Sequence, residues 1–179
     1  MKRSEKAFPF DDFELTDFMK TAWECGWFDD FSDEHFLIMA LENRLHQFNW
    51  EYQFISNTAI DIFTPLQQNG KIDFRQFSHI FITNLSIKLA VMERRFGTDQ
   101  IKNFIVNQLS AGKAHYNNDS FFQALSEVEI LSFYCRQDWD AFTYEPHIGI
   151  HGANPEARFE RTLISADGAT REIQVNIEV

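Results

Sequence analysis

Residues 157–179 read ARFERTLISADGATREIQVNIEV. In the last part of this stretch Glu172, Gln174, Asn176 and Glu178 alternate with Ile173, Val175, Ile177 and Val179. Successive side chains of a strand point to opposite faces. The alternation therefore predicts a strand with one buried and one polar face. Ala166-Asp167-Gly168-Ala169 precedes it, and Asp-Gly supplies the backbone freedom a hairpin turn needs. Ala157 to Ser165 is then the partner strand. Upstream, Gly149, Gly152 and Asn154-Pro155 punctuate a loop. Before the loop, Phe142-Thr143-Tyr144-Glu145 reads as a further strand ended by Pro146, which has no N–H to give a ladder.

The period changes in front of this sheet. Ser120 to Tyr134 reads as a helix with Phe121, Phe122, Leu125, Val128, Leu131 and Phe133 on its apolar face. Glu127 and Glu129 flank that face, and a helix carboxylate ordinarily faces solvent; Glu129 is read that way. Asn117-Asn118-Asp119-Ser120 supplies the N-cap.

Residues 1–117 read as a helical bundle. Phe13 to Trp27 carries Phe13, Leu15, Phe18, Met19, Ala22 and Trp23 at helical spacing and stops near Gly26. Ser32 and Asp33 are the expected caps of a second helix with Phe36, Ile38, Met39, Leu41, Leu45 and Phe48 inward. His35 and His46 lie about three turns apart on it and read as ordinary surface histidines, not as a metal pair. A third helix is expected from Glu51 to Phe63, stopped by Thr64-Pro65, and Gln68-Asn69-Gly70-Lys71 is a turn. Asp73 or Ser78 opens a long helix reaching Phe96, with Phe77, Ile80, Phe81, Leu85, Leu89 and Met92 inward. Arg94 and Arg95 suit the negative end of its dipole and read as a solvated terminus. Thr98-Asp99 is the expected cap of another helix, with Ile101, Phe104, Ile105, Gln108 and Leu109 as its repeat. Ser110-Ala111-Gly112-Lys113 is not a phosphate loop, because Asn107 and Ala114 stand where that loop needs glycine and a hydroxyl. Gly112 reads instead as a helix C-cap. The fold class is α+β: a mainly helical bundle, then a helix and a small three-stranded sheet with a C-terminal hairpin.

The totals narrow the function classes. The 20 phenylalanines occur in nearly every segment, which points to aromatic packing rather than to one binding surface. With 27 acidic against 16 basic residues the net charge is −11, the opposite of a general nucleic-acid coat. A small metal-centred site remains compatible with that charge, since bound cations reverse the local sign. No stretch has the ~20 apolar residues of a membrane span, and Met1-Lys2-Arg3-Ser4-Glu5-Lys6 leads into acids rather than a signal sequence. Cys25 and Cys135 have no ligand spacing and read as free thiols of a cytoplasmic protein.

The order of helix, strand and hairpin, with the acids it carries, resembles the PD-(D/E)XK (restriction-endonuclease-like) nuclease superfamily. In that family a helix glutamate precedes a strand, an acid often following proline starts the next, and an E-x-K tripeptide ends the third. The matching segments are Leu125-Ser126-Glu127-Val128, Tyr144-Glu145-Pro146, Asn154-Pro155-Glu156-Ala157-Arg158-Phe159 and Val175-Asn176-Ile177-Glu178-Val179. The resemblance covers residues 118–179 and leaves 1–117 unassigned. It implies Mg²⁺ or Mn²⁺ held by Glu156 and Glu178, with Glu127 supporting from the helix, and phosphodiester hydrolysis of nucleic acid, DNA ahead of RNA. Such a cation orients water, lowers its pKa and stabilises charge on the phosphate. Glu156 stands where aspartate is commoner, and the motif lysine would follow Val179. That lysine, and the helix and last strand that complete the family's core, are not in this sequence. The segment therefore reads as the N-terminal part of a longer nuclease core, in a setting such as antiviral defence, or as a degenerate member without activity.

Two other readings stand beside this one. Glu145, His147 and His151 lie two and four residues apart and offer carboxylate and imidazole ligands to zinc. The chain also reads as a non-enzymatic interaction module or regulatory subunit, its bundle meeting a protein partner or a second copy and its hairpin adding a strand to another sheet.

Overall fold

A computed structural model of the chain describes residues 2–10, 14–48, 67–68, 71–112, 116–144 and 157–178. Among them the order is a mainly helical N-terminal part followed by a three-stranded antiparallel sheet, an α+β architecture. The expected helix at 51–63 lies outside the described residues.

Helix α1, Asp17–Glu24, buries Phe18, Met19, Ala22 and Trp23. Leu15 was expected in this stripe but is 61% exposed. It sits in the 3-10 turn Glu14–Thr16, whose threefold repeat is out of phase with the helix. The chain leaves α1 through Gly26 at φ 72, where an added Cβ would stand 2.9 Å from Asp29 Oδ2.

Helix α2, Phe36–Leu41, is buried along its whole length. Its cap is His35, not Ser32 or Asp33: the Leu37 N–H donates to His35 Nδ1 over 3.1 Å. The helix also ends at Leu41 instead of continuing to Phe48. Leu45 and Phe48 still reach the core from a following 3-10 turn, Leu45–Gln47.

Short strands β1, Gln67–Gln68, and β2, Lys71–Ile72, pair antiparallel on either side of the expected turn. Helix α3, Phe74–Phe96, opens at Asp73, whose carboxylate accepts from the N–H groups of Arg75 and Gln76 at 3.0 and 3.1 Å. Ser78, the other candidate opening, is buried inside the helix. Of the expected inward residues Ile80 turns out 44% exposed, and Ile82 is fully buried instead.

Gly97, at φ 90, separates α3 from α4, Thr98–Phe104, so Thr98 and Asp99 form the first turn rather than the cap. The helix runs on through a π-type turn, Ile105–Leu109, burying Ile105 and Leu109. Positive φ at Ala111 and Gly112 then ends it. Helix α5, Asn118–Cys135, starts at the cap Asn117, whose Oδ1 accepts from Asp119 and Ser120 N–H groups. Phe133, expected on its buried face, is 60% exposed.

Strands β3, Ala141–Tyr144, β4, Ala157–Ile164, and β5, Thr170–Ile177, form the sheet in that order, all antiparallel. The β4–β5 turn is longer than a two-residue Asp-Gly connection. Ser165 N–H donates to Ala169 O at 2.8 Å, and Gly168, at φ 81, donates to Ser165 O at 2.9 Å. This is a type of three-residue loop in which glycine takes the left-handed position.

One face of the sheet lies on α3 and α5. Phe96 meets Phe142, Tyr144 and Phe159 at ring separations of 5.9, 5.1 and 6.2 Å. Tyr134 and Trp139 lie 5.5 and 5.7 Å from Phe159. Arg95, at the end of α3, donates to the carbonyls of Cys135 and Gln137 at 3.1 Å each and lies over the Phe142 ring. Buried side chains from Phe8 to Ile177 form one cluster. The alternation of β5 holds at its base, where Val175 is half-buried and Ile177 buried. It fails towards the turn: Ile173 and Leu163 are each 40% exposed, because no described helix extends under that part of the hairpin.

Candidate functional site

The three strands converge at one end of the sheet. Tyr144, the last residue of β3, pairs with Ala157, the first of β4, and Ala157 pairs with Ile177, the last of β5. Residues directly opposite one another share a face. Tyr144, Ala157 and Ile177 therefore look towards α5, and Ala157 and Ile177 are buried there.

Glu127 comes to this row from the helix side. It lies on α5 between Ala124 and Leu131, positions one turn away on the same face, all three buried. Its relative exposure is 8%, not that of a solvent-facing carboxylate. Burying a carboxylate is costly unless polar groups meet it. The Tyr144 hydroxyl donates to Glu127 Oε1 over 3.5 Å, the long end of the hydrogen-bond range. Tyr144 had no role assigned from sequence. The available signal was the two-residue period of β3, which puts it on the same face as Phe142.

Glu178 follows Ile177 at the same end and is exposed. By alternation it continues the polar row of Glu172, Gln174 and Asn176, where Asn176 Oδ1 accepts from Arg158 Nε at 3.1 Å and Gln174 donates to Glu160 at 2.8 Å. The helix glutamate and the strand glutamate thus approach the Tyr144–Ala157–Ile177 row from its two faces. Glu156 precedes Ala157 in the chain and lies outside the described residues, as do Glu145, His147 and His151. Among the described residues no group of three or more His, Cys, Asp or Glu side chains could hold a metal ion. Glu127 and Tyr144 lie on the helix side of the row and Asn176 and Glu178 on its polar side, so these oxygens do not form one ligand set.

The remaining candidates resolve as structure. Glu129 is ion-paired with Lys88 of α3. His35 is fully buried, with Nε2 bonded to Leu109 O at 2.9 Å and its ring 4.4 Å from that of Tyr116. It is neither a surface histidine nor a partner of His46, which is exposed beyond the end of α2. Cys25 is exposed and Cys135 buried, both as free thiols. Burial pushes the Cys135 thiol up to about 12, which keeps it protonated and unreactive. No described helix is long and apolar enough to cross a membrane. No family model, curated protein or solved structure matches the chain.

Proposed function

We propose that the sheet end at Tyr144, Ala157 and Ile177 is the metal seat of a PD-(D/E)XK-like phosphodiesterase acting on nucleic acid, DNA ahead of RNA. The observation that carries the reading is the register of that row. It brings together the end of β3, the start of β4 and the end of β5, beside the helix that bears Glu127. Glu156 and Glu178 are the covalent neighbours of the paired Ala157 and Ile177. In this reading they supply the two ligand carboxylates, for Mg²⁺ or Mn²⁺. Bound there, the cation would supply an activated water and charge neutralisation at the phosphate. Glu127 acts as a positioning residue, ordering the end of β3 through the Tyr144 hydroxyl. A lysine placed directly after Val179 would complete the E-x-K pattern and share the strand face of Glu178.

A titration with Mn²⁺, read by its paramagnetic resonance signal, tests the seat. The chain is expected to bind one ion. Glu156→Gln and Glu178→Gln should each weaken binding by roughly 10-fold or more, and Glu127→Gln by less. Glu172→Gln, further along the same polar row, should leave it unchanged. Binding that is absent, or indifferent to Glu156 and Glu178, overturns the assignment. A polypeptide that carries lysine after Val179 is expected to cut duplex DNA in Mg²⁺ or Mn²⁺ and to lose this in Glu156→Ala and Glu178→Ala.

A further inference from the structure

The far end of the hairpin is built differently from its base. Strand β3 accompanies β4 only as far as the Ala141–Glu160 pair. Beyond that, Arg161 stands opposite Ile173 and Leu163 opposite Arg171 on the face that continues the helix-covered one. No described helix covers these rows: Leu163 and Ile173 are each 40% exposed, and on the other face Ile164, at the tip, is 75% exposed. Arg161 reaches Asp138 at 3.6 Å and is itself 43% exposed. On the other face Thr162 stands opposite Glu172. Each part of β5 near the turn therefore has an apolar and cationic side and an acidic side.

Strand β5 is also the last in the sheet order, so its outer edge has no strand partner among the described residues. Edge strands are commonly blunted by proline, a bulge or shortness. Of the devices that close an edge, Thr170–Ile177 has only charge, at Arg171 and Glu172; its eight residues pair with β4 in one unbroken register and contain no proline. A regular edge bordered by exposed aliphatic groups is the geometry of strand addition, where main-chain bonds bind and alternate side chains select.

We propose that β5 accepts an extended segment of another protein as a fourth strand. Its selectivity follows from the two faces. The incoming strand carries apolar residues opposite Ile173 and Val175, an acidic residue opposite Arg171 and a basic residue opposite Glu172. Opposite charges directly across a strand pair are favourable and like charges are not. A second copy of this chain does not meet the pattern. In a closed two-fold pairing, residues facing one another belong to the same face. The helix-side face of β5 has no acid and its polar face has no base. Arg171 and Glu172 then find no opposite charge in any register, and a net charge of −11 on each copy adds repulsion. A nucleic acid fits less well too. Two arginines beside the exposed Leu163 and Ile173 on one face, with Glu172 on the other, give few phosphate contacts, whereas arginine beside apolar residues typifies protein interfaces.

This proposal is independent of the carboxylate site. It is tested on the full chain with a fluorescein-labelled ten-residue peptide in antiparallel register: valine facing Ile173 and Val175, glutamate facing Arg171, lysine facing Glu172, threonine elsewhere. The counter-probe exchanges the glutamate and the lysine. Anisotropy titration is expected to give at least tenfold tighter binding of the first peptide, with slowed hydrogen exchange at the amides of β5. The paired change Arg171→Glu with Glu172→Lys should invert the preference. Equal affinity for the two peptides, binding of neither, or exchange protection outside β5 overturns the proposal. So does saturation by duplex DNA that both peptides fail to displace.

Discussion

His35 shows how much one side chain can hold together. Its Nε2 bonds to the Leu109 carbonyl and its Nδ1 accepts from Leu37 N–H, so the ring is the neutral tautomer with the proton on Nε2. A second proton on Nδ1 would face a donor instead of an acceptor. Burial, aided by the charge of Arg3 and opposed by the Leu109 carbonyl, holds the pKa down to about 3, against 6.5 for a free imidazole. The unfolded chain therefore takes up the proton first. The contribution of His35 to stability is complete above about pH 6.5 and is lost as the pH falls towards 3. The slope is about 1.4 kcal/mol per pH unit within that window. Urea unfolding between pH 7 and 5 should show this loss. His35→Asn, which keeps a capping acceptor but drops the bond to Leu109, should be ~1–3 kcal/mol less stable at pH 7 and should have a flatter pH dependence. Equal slopes for the two proteins would refute the role. The sequence hid this residue because Ser32 and Asp33 are better intrinsic caps, and only the distant Leu109 carbonyl makes His35 the one used.

Between elements, Arg95 does what local sequence cannot announce. As the last turn of α3 it reads as a solvated basic terminus. In the fold its guanidinium reaches across to the free carbonyls at the end of α5 and lies over Phe142 of β3. One planar fork thus ties the ends of two helices to the first strand of the sheet. Arg95→Ala is expected to cost ~1–2 kcal/mol, from two lost hydrogen bonds and a lost stacked surface. Arg95→Lys should recover little, since a single ammonium cannot span both carbonyls and the ring. The exposed neighbour Arg94 should tolerate alanine within ~0.5 kcal/mol. Chemical denaturation of the three variants decides the matter, and equal losses for Arg94→Ala and Arg95→Ala would count against the tie. Element types were legible from periodicity: α3, α5, β4 and β5 fall where the apolar spacing puts them. Phase errors arose at Leu15, Ile80 and Phe133, where a turn or an uncovered face decides burial. Of the candidate site, the acids at the strand ends were visible as motif text. The burial of Glu127 was not, because it depends on how the sheet lies across α5.

At the scale of the molecule, the buried side chains before and after residue 117, where the periodicity alone suggests a boundary, join one cluster. Phe159 sits at the junction: fully buried, it touches Phe96 from α3, Tyr134 from α5 and Trp139 from the turn between α5 and β3. If the sheet base and the bundle share a core, loss of this ring must weaken both together. Phe159→Ala should then cost ~3–5 kcal/mol, which for a chain of this size lowers the melting midpoint by on the order of 10 °C. Far-UV circular dichroism, dominated by the helices, and tryptophan emission should move through one coincident transition before and after the substitution. Two separated transitions, with the helical signal unmoved by Phe159→Ala, would establish the sheet as an independently folding unit. The hairpin beyond Glu160 is expected to behave otherwise. Its aliphatic residues are uncovered, so the amides of 162–171 should exchange by local fraying while those of Phe159 and Val175 exchange only with global unfolding. A bound fourth strand on β5 would remove that difference, so the same exchange experiment that delimits the core also reads out the docking edge.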